Sequence, residues 1–76
     1  PPEAMPAHLT RTSLADVSEE LAIDQNDTIE SLGEKRRSFA RLNHPDMVSV
    51  PFRDNATKRM TAANLLIDQA IRLLSI

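Results

Sequence analysis

The 76-residue sequence predicts a small all-α domain in which a short first helix packs on an antiparallel helical hairpin. Three observations lead there. Ala56, Met60, Ala63, Ile67, Ala70 and Leu74 follow one another in steps of four, three, four, three and four, the repeat of one helix face. No stretch alternates apolar and polar residues with the period of a strand. Pro45 falls where another helical pattern stops, and a proline both ends a helix and forces the residue before it into an extended conformation.

Residues 1–12 (PPEAMPAHLTRT) contain Pro1, Pro2 and Pro6 and are expected to form a flexible linker or tail, with His8 solvated. The folded domain is expected over 13–76. Its first helix, about 13–23, opens at Ser13 with Asp16 three residues on, a variant of the capping box, and Leu14, Val17 and Leu21 recur at helical spacing. Two to three turns are marginal alone, so packing must hold this helix. Asp24-Gln25-Asn26-Asp27 reads as a turn, with Asn26 or Asp27 capping a second helix that runs over about 27–43. Its apolar face is Ile29, Leu32, Phe39 and Ala40. Arg36 lies on that stripe and is expected to lay its stem along the core and reach water. Gly33 costs an interior helix about 1 kcal/mol relative to alanine. After a loop, Pro51 suits the first position of a third helix over about 51–74, with Asp54 in its first turn and Leu66 and Ile71 widening the seam. Phe52 is expected to pack, and Lys58 and Arg59 to be solvated.

One thin core must hold such a chain, because at this size only roughly 60–65% of the unfolded surface is buried on folding. The sequence has no cysteine, so disulfides and thiolate metal sites are excluded and a reducing compartment, the cytoplasm or an equivalent, is expected. Two histidines do not make a metal site, and no cofactor is expected. No apolar run approaches the ~20 residues of a membrane-spanning helix, and residues 1–12 lack the apolar stretch of a secretory signal. The chain begins with Pro1 and reads as part of a longer protein, so an upstream membrane anchor stays open.

The net charge of −2 hides an asymmetry. Residues 1–33 hold seven acidic side chains against Arg11 alone, whereas residues 34–60 hold seven basic ones (Lys35, Arg36, Arg37, Arg41, Arg53, Lys58, Arg59) against three acidic. A cationic middle on an acidic domain points to a negatively charged partner. Immediately after the second helix come His44, Pro45 and Asp46, an imidazole and a carboxylate displayed at a bend. They have no accompanying nucleophile, metal set or phosphate loop, so they suit contact with a partner better than catalysis.

Taken together, these elements resemble the J-domain of DnaJ-type co-chaperones over roughly Leu14 to Leu74. His44-Pro45-Asp46 matches the family signature, and Leu21-Ala22-Ile23 is similar to the Leu-Gly-Val that ends its first helix. Without a gap, Leu32, Phe39 and Ala40 then fall on its apolar positions. Met60, Ala63, Asn64, Leu66, Ile67 and Ala70 fall on the pattern Phe-x-x-Ile-Asn-x-Ala-Tyr-x-x-Leu. The chain departs from the family in having Asn43 and Arg36 for tyrosines, Met47 for a basic residue and Ala22 for glycine. Its loop is slightly longer, and the glycine/phenylalanine-rich and cysteine-rich modules are missing.

The resemblance implies a non-enzymatic module that binds a DnaK-type ATPase chaperone and stimulates its ATP hydrolysis, acting as a monomer through His44, Pro45, Asp46, Lys35, Arg37 and Arg41. In that role Lys35, Arg37 and Arg41 project outward to meet an acidic groove, and Asp46 offers its carboxylate to an arginine. Two other classes stay open. One is a J-like interaction module without ATPase stimulation. The other is a nucleic-acid binder, disfavoured by the acidic balance and by the absence of Tyr and Trp for stacking.

Overall fold

The computed structural model describes residues 4–76, which are helical with no strand. A single 3-10 turn, Ala7–Thr10, precedes three α-helices: α1 (Leu14–Leu21), α2 (Ile29–Asn43) and α3 (Arg53–Leu74). Two further 3-10 turns, Pro45–Met47 and Val50–Phe52, make up most of the α2–α3 connection.

Local chemistry sets the helix ends. At α1, Ser13 Oγ accepts the Asp16 N–H at 3.0 Å, so the expected cap forms. At α2 the cap lies one residue beyond the expected pair. Thr28 Oγ1 accepts the Ser31 N–H while Ser31 Oγ accepts the Thr28 N–H, a reciprocal box. Asp27 is left for other work, described below. Pro51 sits in the preceding 3-10 turn, and α3 starts at Arg53.

Helices α2 and α3 run antiparallel, because Asn43 at the end of α2 meets Arg59 early in α3, whereas Arg36 reaches back to Asn64 and Asp68. Val17 and Leu21 of α1 close the main core against Leu32, Phe39, Ala63 and Ile67. The stripe is narrower than its periodicity suggested: Ile29, Leu14 and Leu74, all read as core positions, stand exposed. Arg36 does not reach only for water. Its Nη1 donates to Asn64 Oδ1 at 2.7 Å and its Nη2 to Asp68, which explains an asparagine inside α3.

The segment read as a tail is packed from Met5 onward. Leu9 is fully buried with Phe52 and Ala56 in a second cluster, Asn55 Nδ2 donates to the Leu9 carbonyl at 2.8 Å, and His8 is partly buried with its Nε2 shielded from solvent. An isolated leucine among prolines carries no periodicity, so nothing in the local sequence marks it as core. Phe52 packs as expected. Among the described residues no helix is long and apolar enough to cross a membrane.

Candidate functional site

Helix α2 stops at Asn43 because Pro45 cannot continue it, and His44 is extended with φ −62° and ψ 128°. Pro45 then opens the following turn, where its missing N–H costs nothing. The Asp46 N–H donates to His44 Nδ1 at 3.2 Å, and the Met47 N–H to the His44 carbonyl at 2.8 Å. While Nδ1 accepts this bond, the neutral imidazole carries its hydrogen on Nε2. The Asp46 carboxylate is 82% exposed and 3.7 Å from the imidazole, which is 52% exposed. The bend therefore presents an exposed carboxylate beside an imidazole on a proline-set turn.

Arg37, Ala40 and Arg41 of α2 and His44, Asp46 and Met47 of the turn line one shallow open depression. Two of the expected cations are thus beside the signature. Arg41 donates to Ser38 Oγ at 3.1 Å, and Arg37 pairs with Glu34 at 2.5 Å. That guanidinium, by hydrogen bond and by charge, pulls the Glu34 carboxyl below its usual range. Met47, 74% exposed, gives the floor an apolar component.

Lys35 does not join this surface. Its ammonium donates to the carbonyls of Leu21 (2.8 Å) and Ala22 (2.9 Å) and to Asp27 Oδ2 at 3.0 Å. It caps the C-terminus of α1, where a cation meets the negative end of the helix. The outward-projecting role expected for Lys35 is corrected accordingly: helical spacing placed it on the correct helix but could not show that α1 ends beneath it.

Arg59 is the second correction. Expected in solvent, it is fully buried. Its Nε donates to Asn43 Oδ1 at 2.7 Å, Nη1 to the Arg11 carbonyl at 2.8 Å and Nη2 to Glu20 at 2.6 Å, with the guanidinium 4.9 Å above the Phe39 ring centre. A signal existed: Arg59 lies three residues after Ala56 and four before Ala63, on the seam itself. Asn43, also fully buried, completes the network by donating from Nδ2 to the Phe39 carbonyl. Lys58 is solvated as expected, paired with Asp54.

Among the described residues no group of His, Asp and Glu side chains is arranged to hold a metal ion. No family model, curated protein or solved structure matches the chain.

Proposed function

We propose that the chain is a J-domain-like module that docks on a DnaK-type chaperone and stimulates its ATP hydrolysis. The observation that carries the reading is the presentation of His44-Pro45-Asp46: a proline-fixed turn holds an exposed carboxylate beside Arg37 and Arg41 in one depression. The two arginines attract an acidic surface and raise the encounter rate, an effect that weakens with salt. Asp46 supplies a charge-assisted, orientation-dependent bond to a cationic group of the partner. Such a module catalyses nothing itself. It binds one conformation of the ATPase better than another and shifts the population toward it.

Single-turnover ATP hydrolysis by a DnaK-type chaperone tests this. The parent domain is expected to raise the rate, and His44→Gln and Asp46→Asn to remove at least about 90% of that increase, the tenfold loss expected when ~1.4 kcal/mol of coupling disappears. Equal rates with and without the parent domain would exclude the proposal. An Asp46→Asn variant as effective as the parent at low salt would exclude the role of the charge.

A second reading, a J-like interaction module without ATPase stimulation, is favoured by Lys35 being used internally and by Met47 exposing an apolar side chain within the depression. Binding without rate enhancement is its signature. Nucleic-acid binding is weakened further, since Lys35, Arg36 and Arg59 of the basic stretch all spend their charge on intramolecular partners.

A further inference from the structure

We propose that Arg59 is a positioning residue for the His44-Pro45-Asp46 turn, holding it through Asn43 and linking it to the N-terminal segment through the Arg11 carbonyl. The functional consequence rests on the docking reading above; the structural one does not.

Hydrogen bonds within the turn fix its local shape, but they do not fix how it sits on the domain. Between Asn43 and Phe52 no residue is fully buried, although Val48 packs against the second core cluster, so the two ends weigh heavily in its orientation. Phe52 anchors the far end in the second core cluster. At the near end the last residue of α2 is fixed by a buried pair, Asn43 Oδ1 accepting from Arg59 Nε at 2.7 Å while Asn43 Nδ2 holds the Phe39 carbonyl. The next residue is His44, whose imidazole takes the Asp46 N–H. One guanidinium therefore stands one hydrogen bond and one residue from the signature.

Its other two bonds reach different parts of the chain, Glu20 on α1 and the Arg11 carbonyl before it. A planar fork with donors on three nitrogens makes all three contacts at once, which a lysine ammonium on a flexible stem does not. For stability alone this position asks for an apolar residue: its seam neighbours are Ala56 and Ala63, and replacing a buried ion pair by well-packed apolar side chains is often neutral or stabilising. An arginine here gives geometric definition, and the geometry it defines is the exit of α2.

The test is 15N relaxation of the domain, which needs no partner, combined with the ATPase assay. In the parent, the order parameters of Asp46 and Met47 are expected near the rigid-backbone value of ~0.85; in Asn43→Leu they should fall below ~0.6. Ala63 and Ile67 should stay in the rigid range, and ATPase stimulation should fall roughly tenfold in parallel. Should Asn43→Leu fail to fold, Arg59→Lys is read in the same way. A folded Asn43→Leu (or Arg59→Lys) with unchanged order parameters at Asp46 and Met47 overturns the proposal. A parent domain that leaves the ATPase unstimulated counts against the docking reading alone, because the relaxation data still decide the role of Arg59.

Discussion

Ala22 and Gly33 sit in each other's natural places. Ala22 ends α1 in the left-handed region, with φ 49° and ψ 44°, where a Cβ is strained and glycine is not. Gly33 lies inside α2, and a Cβ built there meets only the Arg37 guanidinium at 3.5 Å, an ordinary contact. The packing does not need a glycine there. Ala22→Gly and Gly33→Ala should therefore each stabilise the domain, by about 0.5–1 kcal/mol. Urea denaturation of the two variants and the double variant checks this, with near-additive gains expected because no side chain is shared. The left-handed φ shows only in the folded backbone, although Ala22 already stood out as an alanine where the resembled family has glycine; the interior glycine was legible as a cost in the sequence.

Each helix depends on how its ends are held. Asp27 shows this best. Its carboxylate accepts from Ser31 Oγ, from the Asp24 N–H and from Lys35 Nζ, and these bonds, in that order, hold its pKa down to about 2 from an ordinary 3.8. The unfolded chain therefore takes up this proton first as the pH falls. The stabilisation is present in full above the unfolded value and is lost on descending from about pH 4 to about pH 2. Asp27→Asn should lower the melting temperature at neutral pH, and the gap between parent and variant should close across that acid window; a constant gap down to pH 2 would refute the assignment. The Ser13 cap, the α3 seam and the stop at Pro45 were legible in the sequence because each rests on neighbours within one turn. The shift of the α2 cap from Asn26 or Asp27 to Thr28 was not, because several good capping residues adjoin and Lys35, eight positions away, recruits one of them.

At the scale of the molecule, two small cores share α3. One is closed by α1 and α2, the other by Leu9 and the loop residue Phe52. The N-terminal segment is thus part of the fold. Truncating Leu9 to alanine should cost about 2–4 kcal/mol, a large share of the roughly 4–11 kcal/mol available to a domain of this length. A loss of unfolding free energy in urea below a quarter of that cost would show that the segment contributes little. Charge follows the same division: Lys35, Arg36 and Arg59 tie elements together, leaving Arg37 and Arg41 beside the signature turn.

Helix periodicity, proline and capping chemistry act over a few residues, and for that reason the three helices, the bend at His44-Pro45-Asp46 and the packed role of Phe52 were readable in the linear chain. Which cations face outward was not. Lys35, Arg37, Arg41 and Arg59 are alike in composition, and their roles part only when the end of α1 lies under Lys35 and when Asn43, Glu20 and the Arg11 carbonyl converge on Arg59. Contacts spanning 13 to 48 positions decide those roles. They depend on where elements meet in space, and a buried guanidinium is tolerated only where that meeting supplies its acceptors.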